Sequence, residues 1–85
     1  MKVQFYPAHL YPADGAGNHG VVIPDVNVNA SGRTRQEALE DAIAVLQEIV
    51  EECAIGGSPI PKSASLDEPI EPGATLVLIP VTVPD

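Results

Sequence analysis

The stretch Thr34-Arg-Gln-Glu-Ala-Leu-Glu-Asp-Ala-Ile-Ala-Val-Leu-Gln-Glu-Ile-Val-Glu-Glu-Cys-Ala-Ile55 decides the fold, because no other segment sustains a helical period. Thr34 and Glu37 form a T-x-x-E capping box, in which the hydroxyl and the carboxylate answer backbone N–H groups that a helix start leaves free. Gly56 and Gly57 follow, and glycine tolerates the left-handed turn that closes a helix. At about 100° per residue, Leu39, Ala42, Ile43, Leu46, Ile49, Val50 and Cys53 fall on one side. Glu37, Glu40, Asp41, Glu48, Glu51 and Glu52 fall opposite them, within an arc of roughly 120°. One face belongs in a core. The other faces water or a cationic surface.

Outward from the helix, the flanks read as strands. Val3–Leu10 interleaves apolar and polar residues, with Pro7 marking an edge or a bulge. Tyr11–Asn18 holds Pro12, Asp14-Gly15 and Gly17 and is a hairpin turn. Gly20–Pro24 is a short second strand, and Val26–Ser31 alternates strictly, as a half-buried third strand does. The segment 3–33 is thus an antiparallel three-strand meander leading into a helix over 34–55. A Pro/Ser-rich crossing occupies 56–74, where the prolines deny a helix. Ile60, Leu66 and Ile70 are spaced to tack it down, and Ser65–Glu68 suits a short turn. Thr75–Val83 is the last strand, with Val77, Ile79, Val81 and Val83 on one face and Leu76 and Leu78 on the other. Apolar residues on both sides imply that the outer face is covered too. With a single helix available, the expected cover is a second chain, giving a homo-oligomer (dimer or tetramer) whose interface includes Leu76, Leu78 and Pro80.

Eighty-five residues suffice for one α+β domain over 1–85 with one modest core. Twelve acids against four bases leave a net charge of -8, which argues against nucleic-acid binding by this chain and favours a cationic partner, solubility, or a high-salt cytoplasm. No apolar run resembles a signal peptide or reaches the length of a membrane span, so a cytoplasmic protein is expected. Cys53, on the apolar side of the helix, reads as a buried small hydrophobe. His9 and His19 flank the first turn with Asp14 between them, a set that suits zinc only if the strands bring them together; exposed polar surface is the plainer reading. No Gly-x-Ser-x-Gly elbow and no phosphate loop is present. Phe5, Tyr6 and Tyr11 read as packing residues, since the negative charge around them does not suit a base-stacking platform. Neither a cofactor nor a metal is expected.

The order of motifs resembles the N-terminal domain of the HicB antitoxin family. It is carried by Tyr6-Pro7-Ala8, the glycine-containing hairpin, Gly20-Val-Val-Ile-Pro-Asp25 and Ser31-Gly-Arg-Thr-Arg-Gln-Glu-Ala-Leu-Glu-Asp-Ala42, then by Gly56-Gly-Ser-Pro-Ile-Pro-Lys-Ser-Ala-Ser65 and Ile79-Pro-Val-Thr-Val83. The resemblance covers Tyr6 to Val83. It implies a partial RNase H-like fold, β-β-β-α-β, with one amphipathic helix on a small mixed four-stranded sheet whose last strand runs parallel to the first. It also implies a partner: a small basic HicA-type toxin that cleaves mRNA and is silenced when the antitoxin masks its RNA-binding and active face. Two departures stand out. Val26-Asn27-Val28-Asn29 replaces the usual Leu-Pro-Gly-Cys, and no C-terminal DNA-binding domain follows, so promoter binding by this chain alone is not expected.

Catalysis is not expected. A nuclease of the RNase H type converges three or four carboxylates on two Mg²⁺ ions, one of them from the first strand. Val3–Leu10 has no acid, and the helix carboxylates splay along an outer face. The acidic helix residues are therefore the candidate partner-binding set. Two rivals remain: a stand-alone oligomeric domain with a regulatory or ligand-binding role, and a residual hydrolase.

Overall fold

The computed structural model describes residues 2–63 and 67–84. Four strands and one helix follow in the order β1 (Lys2–Leu10), β2 (His19–Ile23), β3 (Val28–Gly32), α1 (Arg35–Gly56) and β4 (Thr75–Val83). This is the expected β-β-β-α-β arrangement: one helix packed on a four-stranded sheet of order β3-β2-β1-β4.

The sheet is antiparallel throughout, which corrects the expected mixed sheet with its parallel last strand. β4 pairs with β1 over the full length of both, from Lys2 opposite Val83 to Leu10 opposite Thr75. The reason lies in the crossing. With the Leu10 end of β1 taken as the top, α1 leaves β3 at the top and descends roughly 33 Å over its 22 residues. A crossing that merely turned would send β4 upward. Here residues 57–74 travel back to the top, so β4 starts beside Leu10 and runs down.

Local chemistry explains the ends of the elements. The Thr34 hydroxyl accepts the Glu37 N–H at 3.0 Å, and Gly57 adopts φ 73° to donate its N–H to the Cys53 carbonyl. In the first hairpin, Asp14 Oδ1 accepts the N–H groups of Ala16 and Asn18 at 2.8 and 3.0 Å. These bonds, Asn18 first, hold the Asp14 carboxyl below its usual range. β3 begins two residues later than its alternation suggests. Pro24–Asn27 forms a turn, with the N–H groups of Val26 and Asn27 donating to Ile23 and Pro24, and Asn27 reaches φ 54°, a region asparagine tolerates.

The core lies between α1 and one face of the sheet. Tyr6, Ala8 and Leu10 of β1, Val21 and Ile23 of β2, Ala30 of β3 and Ile79, Val81 and Val83 of β4 meet Ala38, Ala42, Leu46 and Val50. The buried ridge is thus an i, i+4 row that includes Ala38, while Ile43, expected inside, is 36% exposed. Gly32 sets this rotation, because it brings the first turn of α1 into backbone contact with β3. Cys53 is half-buried with a free thiol, less enclosed than expected. α1 runs diagonally across the sheet, and one side chain from it closes a point on each edge. Asp41 accepts the Ser31 N–H on the β3 edge, and Gln47 clasps Thr82 on the β4 edge.

The crossing is anchored where β1 has no β2 neighbour, since only His9 and Leu10 pair with that strand. Ile60 packs on the core, the Tyr6 hydroxyl donates to the Pro61 carbonyl, and the Ser63 hydroxyl donates to the Phe5 carbonyl. The Phe5 backbone faces away from β4, on the side that β2 does not reach, so Ser63 supplies a donor the ladder lacks there. Ile70 is exposed and does not act as an anchor. Leu66 and part of the expected 65–68 turn lie outside the described residues.

Burial first, and the Asp25 charge second, raise the Tyr6 phenol above its usual 10.0. A raised folded-state value stabilises the fold fully below the unfolded value, and that contribution is lost as pH rises through the folded one. Tyr6→Phe is therefore expected to cost about 1 kcal/mol at neutral pH through the lost Pro61 bond. The variant should also flatten the decline in urea midpoint above about pH 10. An unchanged alkaline decline in the variant would assign it to other groups.

Candidate partner-binding surfaces

All six carboxylates expected on the outer helix face are exposed: Glu37, Glu40, Asp41, Glu48, Glu51 and Glu52. They are not equivalent. Asp41 is engaged by the Ser31 N–H at 3.1 Å and ties α1 to β3. Glu37 sits in the first turn, where the helix dipole favours an acid. Glu48, Glu51 and Glu52 lie toward the C-terminal end, where the dipole is negative and no basic residue occupies the last turn. Glu48–Glu51 and Glu48–Glu52 are neighbours that repel by roughly 0.2–0.5 kcal/mol each. This end of the helix concentrates negative potential against its own stability.

A direct consequence is that Glu52→Lys should stabilise the isolated protein. The substitution removes one repulsion, creates an i, i+4 attraction to Glu48 and places a cation near the C-terminus, together worth about 1 kcal/mol. A thermal melt should rise by roughly 4–8 °C. A fall would mean that Glu52 has a structural partner.

Two apolar residues stand inside the acidic arc. Ala44 is exposed and Ile55 is 88% exposed. Ile55 borders an open groove of about 570 Å³ between the end of α1 and the end of β4, with Gln47, Val50, Glu51, Thr82 and Val83 around it. Sequence reasoning passed over this groove, although the signal was available: at 100° per residue Ile55 falls at the centre of the carboxylate arc.

The sheet face away from α1 carries the second expected set. Leu76, Leu78 and Pro80 are exposed there, with Leu78 at 52%. The register sets Pro80 beside Phe5, Thr82 beside Val3 and Leu78 beside Pro7. Phe5, expected to pack, is 52% exposed and Val3 is 58% exposed, so none of the described residues covers that end of the face. Tyr6 is buried and Tyr11 half-buried, as packing residues are.

The two histidines do not converge. His9 is buried on the outer face opposite Leu76 and Val22, and its Nε2 has no hydrogen-bond partner among the described residues. His19 lies at the start of β2, with Nδ1 3.3 Å from the Tyr11 carbonyl, in a small cleft of about 180 Å³ shared with Arg35. Among the described residues, no three histidine, cysteine or carboxylate side chains gather where a metal ion could be held. No helix is long and apolar enough to cross a membrane.

Compared with known protein families, with curated proteins and with solved structures, the chain matches none.

Proposed function

We propose that this chain is a non-catalytic binding protein of the cytoplasm whose acidic helix face captures a small basic protein. The observation that carries the proposal is the outer face of α1, where Glu48, Glu51 and Glu52 stand exposed at the negative end of the helix dipole around the exposed Ile55. A charged rim around an apolar centre suits protein docking: the rim steers encounter and excludes wrong partners, and the apolar side chain supplies contact that water does not. The same carboxylates splay outward from a single helix, an arrangement that suits long-range attraction better than enclosure of an ion. β1 has no acid, which is the further support for a role without catalysis.

The order of motifs points to the partner's class, a basic HicA-type ribonuclease toxin whose cationic RNA-binding face the acidic helix would cover. The antiparallel β4 sets this chain apart from the topology that resemblance implies, so the proposal rests on the meander, the helix and its charge. Co-expression with a basic toxin encoded next to this chain's gene tests it. Growth should be restored and the two proteins should co-purify near one-to-one. Persistent toxicity with both proteins soluble would contradict it.

A further inference from the structure

The free edge of β4 is guarded over one half only. Gln47 donates its side-chain amide to the Thr82 carbonyl and accepts the Thr82 N–H, both at 2.9 Å. Those two backbone groups therefore point away from β1. Backbone direction alternates along a strand, so Leu76, Leu78 and Pro80 direct their backbone groups to the same outer side. Pro80 has no N–H, and Ala74 already donates its own to the Glu71 carbonyl. Among the described residues, the donors left open on this edge are the N–H groups of Leu76 and Leu78. α1 crosses β4 at Thr82 and Val83 and leaves this upper half clear.

The geometry points to a twofold dimer in which β4 pairs antiparallel with β4 of a second copy about Val77. In this register Leu76 exchanges both backbone bonds with Leu78 of the other copy, and Leu78 with its Leu76. The next outward pair sets Ala74 against Pro80, so the residue without an N–H meets one whose N–H is already engaged. A register centred on Leu78 would waste a carbonyl of Leu76 against Pro80. One centred on Leu76 would waste a carbonyl of Leu78 against Ala74. All three registers fill the four open donors, and only the one about Val77 also fills the carbonyls of both leucines, leaving those of Ala74 and Pro80 at the ends of the seam to water.

Side chains favour the same occupant. All four leucines of the pair gather on the outer face, with Phe5 of each copy diagonal to Leu78 and Val3 further along the same face. The exposed residues Val3, Phe5, Leu76 and Leu78 offer about 400 Å² per chain, within the range of the largest and often functional apolar patch on a typical monomer. Residues 74–84 carry no charge, so the seam itself holds no like-charge pair although each copy carries -8. Pairing of the edges also removes an exposed strand, a feature that proteins otherwise block with charge or proline. This inference does not depend on the proposed toxin partner.

Sedimentation of the full chain, with amide exchange read at the same concentrations, tests the seam. The protein should run at twice its 8.9 kDa mass at high concentration and dissociate on dilution. The dimer should tighten with salt, because each copy repels the other, whereas capture of a basic protein weakens with salt. Leu76 and Leu78 amides should be protected in the dimer and exchange freely on dilution. Leu78→Lys, at an exposed position, should weaken self-association more than about a hundredfold with unchanged circular dichroism. Ile55→Lys, away from the seam, should leave it intact. A chain that stays monomeric at high concentration, or a dimer whose Leu76 and Leu78 amides remain unprotected, would overturn the proposal.

Discussion

Gly32→Ala should lower stability by about 3 kcal/mol or more, a larger change than a methyl group costs at most positions. A Cβ there would sit 2.4 Å from the Ala38 nitrogen and 2.6 Å from the Glu37 carbonyl carbon. Both are backbone atoms of the first helical turn, so no rotamer change relieves the clash. α1 would have to lift from β3, and lifting it breaks the Asp41 bond to Ser31 and opens the packing of Ala38 and Ala42. Against a total stability of about 5–15 kcal/mol, that loss should drop the melting temperature by roughly 12–24 °C. Gly20→Ala is the control, because nothing lies within 4 Å of its added carbon. Equal losses in the two variants would show that glycine flexibility, not close approach, governs position 32.

The second large effect belongs to binding. Glu48→Lys with Glu52→Lys changes the charge of the outer helix face by four units without touching a buried residue. Steered association depends on such local potentials and falls steeply with ionic strength. Association with the basic partner should slow by about tenfold to a hundredfold at low salt, and its salt dependence should flatten. Dissociation should change less, because exposed rim charges govern encounter more than residence. The fold should survive, since this pair repels in the natural chain and two lysines at the same spacing repel no more strongly. An unchanged low-salt association rate would remove this face from the interface.

Much of this architecture is legible in the residues themselves. Thr34, Glu37 and Gly57 mark the helix ends because caps are local chemistry, and the carboxylate arc follows from the period alone. Other features depend on where distant segments meet. The direction of β4 was hidden because alternating strands read the same upward and downward, and the proline-rich crossing gives no sign of which end it reaches. Gly32 reads as an ordinary turn glycine until Ala38 is seen against it. Ile43 and Ala38 exchange places because that close approach rotates the helix about its axis. Phe5 misled for a different reason: Val3–Leu10 is largely apolar on both faces, and only the placement of α1 decides which face is covered. Gln47, a single polar residue beside the apolar stripe, gave no hint that it closes the edge at Thr82.

The acidic face of α1 as a docking surface is tested most directly by chemical-shift mapping of the isotope-labelled chain titrated with the basic toxin. The amides of Glu48, Glu51, Glu52 and Ile55 should shift together and saturate near one equivalent, with Glu37 and Glu40 following. Shifts confined to β4 and the sheet face around Phe5, with the outer helix face unmoved, would contradict the account.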